Sequence, residues 1–209
     1  SILSNSQAAR RYLDSDEPDL AEVRAALDDV ITEDKRAGKI IGGLRNLLRN
    51  RQQEVSNVDI NDTIRRACGM LAGDLNTTST RLRMSLHPAP LRIEAGEVQV
   101  EQVLVNLVQN ALRAMQDISL DKRIVRISSE KQDGSVRVSV EDSGPGIPEE
   151  IASRLFEPFT SGGDGLGMGL TICKRILAAH NGRIWAEDSE LGGARFVLEL
   201  PSKSNRIGR

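Results

Sequence analysis

The sequence predicts an α+β protein in two parts: an N-terminal helical hairpin forming a dimeric four-helix bundle, then an α/β sandwich with helices on one face of a largely antiparallel sheet. Three observations carry this. Residues 20–48 hold a largely apolar seam: Leu20, Val23, Leu27, Val30, Asp34, Ala37, Ile41, Leu44 and Leu48 recur at steps of three and four. Glu97 to Met115 holds a broader stripe, Val100, Val103, Leu104, Leu107, Val108, Ala111 and Met115. The segments 124–128, 136–140, 183–187 and 195–200 alternate apolar and polar residues as half-buried strands do.

The 209 residues allow one large domain or two small ones. The polar stretch 49–57 is where the composition changes, so we place the hairpin at 1–53, a linker at 54–57 and the second domain at 58–209. Aromatic residues make up only 2%, so the cores are built from aliphatic side chains. A formal net charge of -2 gives no electrostatic footprint for nucleic acid. The two cysteines, Cys68 and Cys173, lie in apolar helical contexts and read as buried thiols, which fits a cytoplasmic setting. No apolar run is long enough to span a membrane and no signal peptide is visible, so a membrane or sensor part is expected outside this sequence.

Taken in order, residues 1–13 read as the end of a helix with nothing capping its start at Ser1, and 14–19 as a turn. Asp19 with Glu22 opens the second helix in a capping-box pattern. Asp34 alone interrupts its seam, either at a functional level of the bundle or where curvature lets it reach water. The second helix outruns the first by about twenty residues at equal rise, so the first is expected to begin upstream of Ser1 or a second chain to cover the seam. A strand at Val58–Ile60 then leads to a helix over 62–75 capped by Asn61. Strands follow at Leu82–Leu86 and Leu91–Ile93, and Gly134 turns the hairpin between the strands at 124–128 and 136–140. Helices are expected at 149–156 and about 167–180, the latter stopped by Asn181-Gly182.

Within 97–115 a second, polar row runs along the helix: Gln102, Asn106, Asn110 and Arg113. Asn is a mediocre helix former because its amide competes for backbone hydrogen bonds. Two of them one turn apart form either a solvated face or a set of amide oxygens facing a hard cation such as Mg²⁺. Downstream, Asp142-Ser143-Gly144-Pro145-Gly146-Ile147 could be a turn, or a place where glycine backbone approaches a flat ligand while the aspartate accepts from an exocyclic amine. Gly165-Leu166-Gly167-Met168-Gly169-Leu170 leads straight into a helix, and free N–H groups there favour phosphate. Its spacing fits neither a Rossmann fingerprint nor a Walker loop.

Together and in this order, these motifs resemble the core of two-component sensor histidine kinases, within the wider family that shares the Bergerat ATP-binding fold with type II topoisomerases, the 90-kDa heat-shock chaperone and MutL. Asn106 and Asn110 match the N box; Asp142, Gly144 and Gly146 the first glycine box; Leu155-Phe156-Glu157-Pro158-Phe159 the F box; Gly165, Gly167 and Gly169 the second glycine box. The likeness runs from about residue 58 to Pro201, and residues 1–53 resemble the dimerisation and phosphotransfer hairpin. It implies a kinase that binds ATP and Mg²⁺, with Asn110 on the metal, Asn106 assisting and Asp142 on the adenine amino group. Arg113, Ile147, Phe159, Leu166, Met168 and Leu170 would complete the nucleotide site, the second glycine box forming a mobile lid. The family's hydrolysing members carry a glutamate where Asn106 stands here. An amide is no base, so the resemblance favours handing the γ-phosphate to a histidine, then to an aspartate on a response regulator receiver domain, within a homodimer formed through residues 1–53.

The sequence departs from the pattern in two places. No His-Glu or His-Asp acceptor motif stands on the first helix: His87 precedes a proline, and His180 ends a helix, where a cation would favour the dipole. The acceptor is expected just upstream of Ser1. Thr160–Asp164 is short and lacks the lysine or threonine pair common in this lid. Two other classes compete: a nucleotide-independent dimer scaffold, which has no need of the Asn pair and glycines, and a related ATPase, which Asn106 argues against.

Overall fold

The computed structural model describes residues 1–15, 18–48, 55–158, 160 and 167–203; for residues 35–37 and 39–48 only the backbone course is described. The chain divides into two units, Ser1–Arg51 and Gln52–Arg209.

The first unit is a helical hairpin of α1 (Ile2–Leu13) and α2 (Leu20–Leu48). Ser1 does cap its helix, against expectation: the side chain accepts from the Ser4 N–H at 3.4 Å. Asp19 caps the second, with Oδ1 accepting from the backbone N–H of Ala21 and Glu22 at 3.0 and 3.1 Å. Ala9 and Val23 are buried in the contact, and the Asn5 amide donates to Asp29 at 3.2 Å, so the start of α1 lies beside the first half of α2. Leu20, Leu27 and Ile31 stay exposed. Asp34 is exposed too, so the residue that interrupts the seam meets solvent.

The second unit begins with β1 (Ser56–Asp59), which takes in part of the expected linker: Ser56 and Asn57 pair antiparallel with Ala95 and Glu94 of β3 (Arg92–Ala95). The helix expected over 62–75 is two, α3 (Ile60–Met70) and α4 (Ala72–Thr77), parted at Leu71. Its cap is Asp59, whose Oδ1 accepts the Asn61 N–H at 3.0 Å, and not Asn61. Asn61 is buried instead. It donates to the carbonyls of His87 and Ala89 and accepts from Ser129 Oγ at 2.6 Å, which pins the proline-rich loop to the sheet.

The main sheet has five strands in the order β2 (Arg81–Ser85), β4 (Ile124–Gln132), β5 (Ser135–Asp142), β7 (Ala194–Pro201) and β6 (Arg183–Asp188). The β2–β4 pairing is parallel and the other three are antiparallel, so the sheet is mixed. The long crossover between β2 and β4 makes the parallel pairing possible, since a tight hairpin can join only antiparallel strands. That crossover contains α5 (Glu97–Ala114). A 3₁₀ turn, Leu120–Lys122, precedes β4. The helix expected at 149–156 is only α6 (Glu149–Ala152), followed by turns, and α7 spans Gly169–Ala179.

The core lies between the sheet and the helices α3, α5 and α7. Val136, Val138 and Val140 alternate onto it from β5, and Phe196, Leu198 and Leu200 from β7; Val100, Val103, Leu104 and Leu107 of α5 meet them, each at most 1% exposed. The other sheet face is polar. There Arg137 pairs with Glu130 and Glu199, Arg195 with Glu141 and Glu187, and Trp185 lies between the guanidinium groups of Arg137 and Arg183.

Candidate functional site

Strand period 2 sets the first functional side chain. β5 continues one residue past Glu141, so Asp142 falls on the same face as Val136, Val138 and Val140 and points into the helix layer. Asp142 is buried, at 2% exposure. Both backbone donors that reach it use one oxygen: Oδ1 accepts from Gly144 N–H at 2.8 Å and from Ala194 N–H at 3.2 Å. Burial pushes its pKa above the ordinary aspartate value, against the pull of those two N–H groups.

Glycine lets the backbone close around this carboxylate. A Cβ on Gly193 would lie 2.1 Å from Asp142 Oδ1, and one on Gly144 would lie 2.8 Å from it and 3.3 Å from the Ala114 methyl. The loop after β5 therefore lies against the last turn of α5. Ser143 fixes it there, donating to Lys122 O at 2.8 Å and accepting from Ile124 N–H at 2.9 Å. Gly146 takes φ +83°, a left-handed conformation that favours glycine, and Ile147 packs on the core.

The Asn row lies beside α7. The two helices run antiparallel in register along three contacts. At one end the Gly96 N–H, at the start of α5, donates to His180 Nε2 at 2.9 Å. In the middle Asn106 Nδ2 donates to Cys173 Sγ at 3.8 Å. At the other end Gly169 opens α7 opposite Asn110, whose Oδ1 lies 3.9 Å from where a Gly169 Cβ would be. The N box and the helical end of the second glycine box thus come together. Arg113 is exposed one turn further on and donates to Asn110 Oδ1 at 3.4 Å. Gly167 has φ +63°, and Met168, 3% exposed, starts the helix through its carbonyl, which accepts from Ile172 N–H at 2.9 Å. Leu170 packs on the core, and Thr171 Oγ1 donates to the Phe156 carbonyl at 3.2 Å, tying the F box to α7. Phe159, Gly165 and Leu166 lie outside the described residues.

Both cysteines are free and buried, as read from the sequence. His180 differs from its reading as a dipole-capping cation. Nε2 accepts from Gly96 and Nδ1 lies 2.8 Å from the Ile176 carbonyl, so the ring is neutral with its proton on Nδ1. Asn181, at φ +55°, takes the left-handed position that ends α7, while Gly182 is required by closeness: a Cβ there would lie 2.5 Å from the Glu199 carbonyl.

Sequence reasoning missed Gly193, Ala194 and Cys173 as parts of the site. Gly192-Gly193, between the segments 183–187 and 195–200, has the composition of a turn, but only the fold brings that turn to Asp142. Cys173 gave no signal beyond an apolar helical position.

The family of histidine kinase-, DNA gyrase B-, and HSP90-like ATPases matches residues 95–204. Among curated relatives, the sensor histidine kinase TmoS of Ectopseudomonas mendocina is 31% identical over 203 residues, 96% of this chain and 21% of the relative. The sensor protein FixL of Bradyrhizobium diazoefficiens is 35% identical over 198 residues, 94% of this chain and 39% of the relative. The chain thus spans between about a fifth and two fifths of the length of these relatives. Among solved structures, the catalytic domain of the histidine kinase ThkA is 35% identical with a TM-score of 0.64, covering 71% of this chain and 95% of that one. ThkA in complex with the response regulator protein TrrA is 28% identical with a TM-score of 0.72, covering 97% of this chain and 57% of that one. A Bergerat fold of this kind implies a nucleotide and its metal. No helix among the described residues is long and apolar enough to cross a membrane. The family match over half the sequence, and the identity across nearly all of a known catalytic domain, establish that the chain belongs to the histidine kinase-, DNA gyrase B- and HSP90-like ATPases, with the ATP-binding catalytic domains of the sensor histidine kinases.

Proposed function

We propose that the second unit binds MgATP and that the protein containing it transfers the γ-phosphate to a histidine, from which it passes to an aspartate of a response regulator receiver domain. One observation carries the nucleotide reading. A carboxylate buried at a strand end, held through Oδ1 by two backbone N–H groups and walled by Gly144 and Gly193, is costly unless it serves a ligand. Its other oxygen would accept from the adenine amino group. Asn110 and Asn106 offer amide oxygens of the hardness Mg²⁺ prefers. Bound there, Mg²⁺ would neutralise charge on the triphosphate. Arg113 stands where it can add a positive charge, and Gly167, Met168, Gly169 and Leu170 bring backbone N–H groups to the phosphates, with Gly165 and Leu166 assigned to the same glycine box and Phe159 to the nucleotide site.

Asn106 cannot take a proton from water, which favours transfer over hydrolysis. The acceptor is assigned to a histidine outside these residues, because His180 is engaged at both ring nitrogens and His87 is folded onto its own loop, Nδ1 accepting from Ala89 N–H at 3.2 Å. The open apolar seam of α2 supports homodimerisation through residues 1–53, and the sequence is assigned to the cytoplasmic portion of a sensor.

Calorimetric titration with a non-hydrolysable ATP analogue, with and without Mg²⁺, tests this reading. Mg²⁺-dependent binding that Asp142→Asn weakens by about 100-fold, the loss of a buried charge-assisted contact, is expected. No binding at millimolar analogue would instead favour a nucleotide-independent dimer scaffold.

A further inference from the structure

Cys173 is fully buried, with 0% exposure, and lies under the Asn row. Its thiol is 3.9 Å from the Val103 carbonyl, to which S–H donates, and 3.8 Å from Asn106 Nδ2, from which the sulfur accepts. The proton is committed to Val103 and the sulfur lone pairs are left for Asn106. This fixes the polarity of the amide: the nitrogen turns to the sulfur, and the oxygen turns away from it.

We propose that Cys173 is a positioning residue for Asn106, holding the amide nitrogen so that the amide oxygen faces an incoming metal–triphosphate. The proposal rests on the nucleotide reading above. An unanchored amide would present its NH₂ group to the cation in part of the population, and a cation cannot use that face. Groups that orient metal-facing ligands from behind typically govern affinity by about tenfold or more. Asn110 has no such contact to sulfur; its oxygen meets Arg113 and the start of α7. The two asparagines therefore differ in how they are held.

The test uses the full chain, titrated with Mg²⁺ and AMP-PNP and, separately, with ADP in EDTA. Cys173→Val keeps an apolar side chain, with one more heavy atom, and removes the acceptor; it is expected to weaken MgAMP-PNP binding about tenfold and leave ADP binding in EDTA unchanged. Cys173→Ser, which keeps a donor and an acceptor, is expected to restore the Mg²⁺-dependent part. On an Asn106→Ala background, Cys173→Val is expected to add nothing. Equal losses in both titrations would mean a merely structural role, and wild-type-like MgAMP-PNP binding by Cys173→Val would overturn the proposal. A second readout needs no nucleotide: the Asn106 side-chain NH₂ resonance in the free protein is expected to move in Cys173→Val while that of Asn110 stays, and an unmoved Asn106 signal overturns the proposal. Should the valine variant not fold, Cys173→Ala takes its place in both measurements. Failure of the wild-type chain to bind either nucleotide would overturn the nucleotide reading, and is told apart because the resonance still reports whether Cys173 holds the amide.

Discussion

The helices α2 and α5 carry similar apolar stripes and meet opposite fates. In α5, Leu104 and Leu107 are at most 1% exposed, under the sheet and against α7. In α2, Leu20 and Leu27 are 69% and 48% exposed, and only Val23 is buried among the seam residues whose side chains are described. A period of three and four states that a face is to be covered but not what covers it. The second unit covers its own faces within one chain. The first exposes an apolar face larger than α1 reaches, which is what a partner chain would use.

Core truncation is the largest effect expected from this contrast. Leu107→Ala should cost about 2–5 kcal/mol in the thermal or denaturant transition of the second unit. Leu27→Ala should change stability by about 0.5 kcal/mol or less at low protein concentration, where no partner covers it. A Leu27→Ala loss as large as that of Leu107→Ala at every concentration would show that the seam is covered within the chain.

Interrupting the link between α5 and α7 should have a middling effect. His180→Leu leaves the Gly96 N–H without its acceptor at a helix start that has no side-chain cap, at a cost of about 1–3 kcal/mol. Hydrogen exchange at the first turn of α5, faster in the variant, would report it; unchanged exchange would mean that water replaces the ring at no cost.

Asp142 sharpens the contrast further, since it is a part of the well-packed unit that works against stability. Its folded pKa is raised above the unfolded value, so the folded state binds the proton more tightly. The ionised carboxylate therefore costs stability above the folded pKa, and the cost vanishes as pH falls below the ordinary aspartate range. Asp142→Asn should melt higher than wild type at neutral pH, with the gap closing on acidification through that window. A gap independent of pH would mean that the carboxylate is not penalised by burial.

The smallest effect on folding belongs to the hairpin surface. Leu27→Glu with Ile31→Glu should shift a dimer to monomer in sedimentation while leaving the second unit's melting and nucleotide binding unchanged. A dimer that persists would place the interface elsewhere.

Local patterning along the chain set the elements and their chemistry. Period 3.6 marked α5 and its polar row, period 2 marked β4 to β7, and the glycines marked the turns, because these patterns are set by local geometry. It was less able to set boundaries. The cap at Asp59, which also accepts the Leu91 N–H, the burial of Asn61 against the His87–Ala89 loop and the early start of β1 opposite Ala95 depend on residues far along the chain. Which groups meet was set by long-range packing. It paired β2 with β4 in parallel, set the Gly192-Gly193 turn against Asp142, made His180 a neutral acceptor and put Cys173 beneath Asn106. These are contacts between residues up to 84 positions apart. No local propensity encodes them; they follow from how one apolar face packs on another.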